Sequence, residues 1–65
     1  MKKEYTILKK GRDNKVMVMW EREKGFFYPN GVEYSVHTES LYGGLIWGHY
    51  FTDKKECEEY FKQYL

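Results

Sequence analysis

Three side chains in this 65-residue chain could ligate a soft metal or pair as nucleophile and base: His37, His49 and Cys57. A metal centre needs at least three convergent ligands at a recognisable spacing, and these three match no finger or ribbon pattern. Cys57 also falls on an apolar helical stripe, where a small hydrophobe is the ordinary occupant and burial keeps the thiol protonated. It is the single Cys, so no internal disulfide can form. The paired carboxylates, Glu58 with Glu59 and Glu21 with Glu23, read as solvated charge on a helix face and beside a turn. Gly43, Gly44 and Gly48 do not make the GxxxxGK[ST] phosphate loop. A domain this short has little room for a walled cavity beside its core. No catalytic residue, cofactor or metal is expected, and the chain reads as a non-enzyme.

Binding is the chemistry left. Lys9, Lys10, Arg12 and Lys15, with Lys2 and Lys3 before them, gather on the first hairpin close to Tyr5 and Trp20. Basic residues mixed with rings grip phosphates and stack bases, which gives a DNA- or RNA-binding reading. Residues 1–24 carry eight bases and four acids, net +4, and residues 25–65 carry three bases and six acids, net −3. A chain polarised in this way can steer a charged partner at a total charge of only +1. The pI near 7.8 weighs against nucleic acid, because domains with that electrostatic footprint lie above about 9.

A protein partner accounts for more of the composition. Seven Tyr, four Phe and two Trp are more rings than one small core uses. Met17 and Met19 are expected on the sheet face opposite Val16, Val18 and Trp20, exposed and able to adapt to a partner. Tyr28, Tyr42, Trp47 and Tyr50 are the expected anchors. Glu33 and Glu39, with Asp53, Glu56, Glu58 and Glu59, would supply a negative field that mimics phosphate charge.

These side chains need elements to hold them. The chain has no Ala, the best helix former, and is rich in rings, which favour pleated surfaces. Residues 4–10 alternate as a strand, followed by the turn formers Gly11-Arg12-Asp13-Asn14. Residues 15–22 form a strand apolar on both faces, hence central or with one face kept for a partner. Glu23-Lys24-Gly25 predicts a reverse turn with Gly25 at positive φ, and Pro29-Asn30-Gly31 is the strongest turn signal. Residues 32–38 put Val32, Tyr34 and Val36 on one face and Glu33, Ser35 and His37 on the other. Residues 39–44 are a loop with Leu41 and Tyr42 at its middle. Residues 45–51 alternate Leu45, Trp47, His49 and Phe51 against Ile46, Gly48 and Tyr50. At the C-terminus Asp53 or Thr52 caps a helix. Its apolar stripe is Cys57, Tyr60, Phe61, Tyr64 and Leu65, and Glu58 and Lys62 stand in the favourable i,i+4 order.

The expected fold is a single α+β domain over 1–65: an antiparallel meander sheet of four or five strands with one C-terminal helix packed on one face. A three-stranded sheet with a C-terminal helix is similar in outline to some integrase-arm DNA-binding domains, with no motif shared residue by residue. One helix covers one face, so the other is expected to be polar or to dock a partner. The function this implies is a small inhibitor or adaptor that masks a functional surface of another protein, such as one that handles nucleic acid. Its size and Tyr-rich, Ala-poor make-up are of phage or mobile-element type. The alternatives are direct DNA or RNA binding through Lys9, Lys10, Arg12 and Lys15, and a structural homodimer. No run of 18 apolar residues and no signal-like N-terminus is present, so a cytoplasmic protein without membrane association is expected.

Overall fold

The computed structural model describes residues 5–65. Lys2, Lys3 and Glu4, expected in the basic cluster and first strand, lie outside the described residues. Strands β1 (Tyr5–Lys10), β2 (Lys15–Glu21), β3 (Val32–Glu39) and β4 (Leu45–Phe51) precede helix α1 (Lys54–Phe61) and a 3-10 turn, Lys62–Tyr64. The sheet has four strands in the order β1-β2-β3-β4, each pair antiparallel. This is the α+β meander with one C-terminal helix, in its four-stranded form. Phe26, Phe27 and Tyr28 add no fifth strand, because they lie in the long connection between β2 and β3.

Each turn has a local cause. Asp13 and Asn14 both have φ near +60°, and Lys15 N–H donates to Arg12 O, which makes a hairpin turn with two left-handed central residues. The positive φ of the β2–β3 connection falls on Gly31, at 72°, and not on Gly25 as expected. Gly25 N–H and Gly31 N–H both donate to Tyr28 O, so the Pro-Asn-Gly signal closes the loop.

Asp53 caps α1 by accepting from Lys55 N–H at 3.2 Å. The helix lays Cys57 and Phe61 on Met17 and Val36, with Tyr34, Phe51, Tyr60 and Tyr64 around them. Cys57 and Phe61 are fully buried. The rest of the expected stripe differs. The chain tightens into the 3-10 turn after Phe61, which rotates Leu65 out to solvent. Glu58 pairs across to Lys9 at 3.3 Å, and Lys62 turns to Glu59 at 3.0 Å. Residues of the first hairpin hold the far end of this helical segment. Arg12 donates from its backbone N–H to Tyr64 O and from Nη2 to Gln63 O, both at 2.5 Å. Basic groups satisfy terminal helical carbonyls in this way.

Register decides which face the helix covers. Met17 pairs with Val36 and Met19 with Tyr34, while Val18 pairs with Ser35 and Trp20 with Glu33. The methionine side of β2 is therefore the side under α1. Met17 is fully buried, so its expected role as an exposed partner contact is corrected: it is core. Met19 lies half-buried on the same side.

A β-bulge changes the reading of β4. His49 pairs with Val36, yet Ile46 pairs with Thr38, so one extra residue sits in β4 at Trp47–Gly48. The extra residue flips the alternation. Ile46, His49 and Phe51 share the helix side, and Leu45 and Tyr50 face the other. Trp47 takes the left-handed conformation, φ 56°.

Candidate interaction surface

The sheet face opposite α1 is neither bare nor simply polar. Val16 and Val18 are buried there with Ser35 and His37. Trp20 Nε1–H donates to Ser35 Oγ at 2.6 Å, and Ser35 Oγ lies 2.6 Å from His37 Nε2. An indole N–H can only donate, so Ser35 Oγ accepts from Trp20 and shares a second hydrogen bond with His37 Nε2, whose direction follows the imidazole tautomer. Rings roof this chain of bonds. Tyr5 lies 5.0 Å from Trp20, and Tyr50 stands edge-on to His37 at 5.4 Å. Arg22 spreads 4.9 Å over Trp20 while its Nε–H donates to Glu33 Oε1 at 3.0 Å. Both sheet faces are thus covered within one copy of the chain.

This Ser–His pair does not form a nucleophile. Ser35 has no exposed surface and both partners are spent within the network. Burial lowers the pKa of His37 below its ordinary value of 6.5. The unfolded chain then takes up a proton below that value which the folded chain refuses, so stability falls as pH drops through 6.5 and levels off below the folded pKa. The melting temperature should fall as pH drops through 6.5, and His37→Gln, which keeps a polar group beside Ser35 but cannot titrate, should flatten that slope. An unchanged slope would locate the titration elsewhere.

Cys57 is buried under the helix with its thiol pushed up to about 11, first by desolvation and then by the charge of Glu58, so it stays protonated and inert. Among the described residues no three His, Cys, Asp or Glu side chains stand where they could hold a metal ion. No helix among them is long and apolar enough to cross a membrane.

Of the basic residues of the first hairpin, Lys9, Arg12 and Lys15 lie on the helix side and Lys10 on the other, and each has a partner within the chain. Lys9 pairs with Glu58 on the helix side, and Lys10 lies 3.9 Å from Glu39 on the other. Arg12 is tied to the carbonyls of Gln63 and Tyr64. Lys15 Nζ donates to Thr38 Oγ1 at 2.6 Å and lies 5.3 Å over the Tyr64 ring. Four of the acidic residues are engaged in turn: Glu33, Glu39, Glu58 and Glu59 each face a cation. Glu33 was expected to lend free negative charge to a partner surface; its largely buried carboxylate is instead neutralised by Arg22.

Exposed apolar side chains collect at the two ends of the sheet. At the β3–β4 end, Leu41 is 95% exposed, Tyr42 99% and Trp47 80%. At the β2–β3 end, Phe26 is 93% and Phe27 77% exposed. The β3–β4 loop is held from inside by Ser40, whose Oγ accepts from Tyr42 N–H at 3.3 Å and Gly44 N–H at 3.0 Å, while its N–H donates to Gly44 O at 2.7 Å. A loop so pinned at its base presents Leu41 and Tyr42 at the tip. Trp47 is set by its neighbour. A Cβ on Gly48 would come within 2.6 Å of Tyr50 Cε1 and 2.8 Å of His37 Cε1. The close ring packing therefore demands glycine at 48, and the left-handed residue of the bulge falls on the tryptophan.

Of the expected anchors, Tyr42 and Trp47 are brought to one end of the sheet, Tyr50 is half exposed over His37, and Tyr28 is half-buried beside Arg22. Leu41 joins Tyr42 and Trp47. The sequence sign for it is the Ser40–Gly44 loop, which leaves two apolar residues no inward path. No protein-family model, curated protein or solved structure matches the chain.

Proposed function

We propose that this chain is a non-enzymatic binding module that occupies a surface on another protein, with Trp47, Tyr42 and Leu41 as its anchors. The observation that carries this reading is Trp47: a bulky ring, 80% exposed, at φ 56° in a β-bulge. A non-glycine residue in that conformation costs about 1–3 kcal/mol, and such strain gathers at working sites. Exposed Trp and Tyr are the residues that dominate binding energy at protein interfaces. An inhibitor or adaptor that masks a functional site would use them in this way. The internally paired cations of the first hairpin favour this reading over nucleic acid, since Glu58 and Glu39 already partly neutralise the charge of Lys9 and Lys10 that a phosphate would meet.

Trp47→Gly separates binding from folding. It should leave the melting temperature equal or higher, because glycine relieves the left-handed strain, and should remove the partner that the wild type retains from its host lysate. Tyr42→Ala should act alike, with stability unchanged. A partner that survives both substitutions would contradict the reading. So would a wild-type protein that binds generic duplex DNA at physiological salt and loses it on Lys9→Ala with Lys10→Ala.

A further inference from the structure

Far from Trp47, residues 23–28 of the β2–β3 connection line an open surface depression of about 340 Å³, formed by Glu23, Lys24, Gly25, Phe26, Phe27 and Tyr28. Phe26 and Phe27 meet edge to face at 87° with centroids 5.4 Å apart, and both keep ring surface open to solvent. We propose that this pocket binds a small quaternary ammonium cation, its methyl groups against the faces of Phe26 and Phe27 and its charge opposite Glu23.

Three observations carry the assignment. Aromatic faces are electron-rich and attract cations, and ring clusters are a recurrent way to hold quaternary ammonium groups. This end of the molecule already uses ring faces so: the Arg22 guanidinium lies 4.9 Å over Trp20 and 6.0 Å from the Tyr28 ring. The loop is also preset. Tyr28 O accepts from Gly25 N–H at 3.2 Å and from Gly31 N–H at 2.8 Å, and Arg22 N–H donates to Gly31 O at 2.9 Å. A preset loop loses little freedom when a ligand arrives. The lining is confined to six consecutive residues, which favours a small free cation. Lys24 stands in the same lining and opposes a cation, while Glu23 attracts it, so the two charges should tune affinity in opposite directions.

The pocket is independent of the Trp47 surface, and its test leaves that reading untouched. Choline and its neutral carbon isostere, 3,3-dimethyl-1-butanol, are titrated into the intact protein while the ring-proton resonances of Phe26 and Phe27 are followed by NMR. Choline should shift both rings and bind about two- to fivefold more tightly than the isostere. Glu23→Gln should weaken choline binding and Lys24→Gln should strengthen it. Phe26→Leu and Phe27→Leu, both at exposed positions and harmless to folding, should erase the preference for the cation. Equal binding of the two compounds, absence of ring shifts, or shifts indifferent to both charge substitutions would overturn the proposal. A trimethyllysine peptide that binds more tightly than choline would overturn the assignment to a small free cation.

Discussion

Phe61→Ala should cost about 3–5 kcal/mol, as truncations of buried Phe do. For a chain of 65 residues total stability is roughly 3–10 kcal/mol, so the variant should lose about a third or more of it and unfold at a much lower urea concentration. The reason is geometric. α1 touches the sheet through few residues, and Phe61 and Cys57 are the two helical side chains buried in the core with Met17 and Val36. A helix of this length does not persist in water by itself. Without Phe61 the helix loses its grip, and Met17 and Val36 are exposed to water together. Phe61→Leu, which keeps most of the volume, should retain the fold at a cost below that of the Ala variant. The check is urea unfolding followed by far-ultraviolet circular dichroism. A Phe61→Ala protein that melts like its parent would remove the helix from its place over the methionine face.

Ser35→Ala should cost about 1–3 kcal/mol although it deletes a single oxygen. Ser35 Oγ is the middle of the Trp20–Ser35–His37 chain. Its loss leaves His37 Nε2, in a buried site, and the Trp20 N–H without the partner they share. Unpaired buried polar groups carry the desolvation cost that the bond had offset. The effect should be coupled. Trp20→Phe alone should lose more stability than Trp20→Phe made in the Ser35→Ala background, by at least about 0.5 kcal/mol. Strict additivity of the two substitutions would show that the bonds contribute nothing together.

Much of this fold is legible in the sequence, for reasons that differ by element. The helix announces itself because Asp53 caps a 3.6-residue stripe of Cys57, Tyr60 and Phe61. β3 is legible because Val32, Tyr34 and Val36 alternate cleanly with Glu33, Ser35 and His37. β2 is legible as central but not as sided, since Val16, Met17 and Val18 are all apolar and all buried. Its sidedness comes from register with β3, and register depends on a ten-residue connection whose length no pattern reveals. Hence Met17 reads as a free contact from sequence and proves to be core. β4 misleads because strict alternation assumes no bulge. The pair Trp47–Gly48 hides one, and Gly48 marks it only after the rings of His37 and Tyr50 are seen against it.

Charge is harder to read than pattern. Lys9, Lys10, Arg12 and Lys15 are neighbours in sequence; the register turns Lys10 away from Lys9 and Lys15, but what pattern hides is that each is already engaged within the chain. Their partners come from far along the chain: Glu58, Glu39, Gln63 and Thr38. The expectation of an uncovered sheet face fails for a similar reason. Trp20, Tyr50 and Tyr5 lie over Val16, Val18, Ser35 and His37 and do the work of a second layer. The exposed apolar groups are therefore displaced to the loop ends, where Leu41, Tyr42, Trp47, Phe26 and Phe27 stand clear of the core.

Hydroxyl-radical footprinting of the intact wild-type protein, read residue by residue by mass spectrometry, tests this distribution directly. Leu41, Tyr42, Trp47, Phe26 and Phe27 should be modified nearly as fast as in the urea-unfolded chain, while Met17, intrinsically the most reactive type, should be strongly protected. Oxidation of Met17 at the unfolded rate, or protection of Trp47 in a dilute monomeric sample, would contradict the closure of both sheet faces and the placement of the binding anchors at the end of β4.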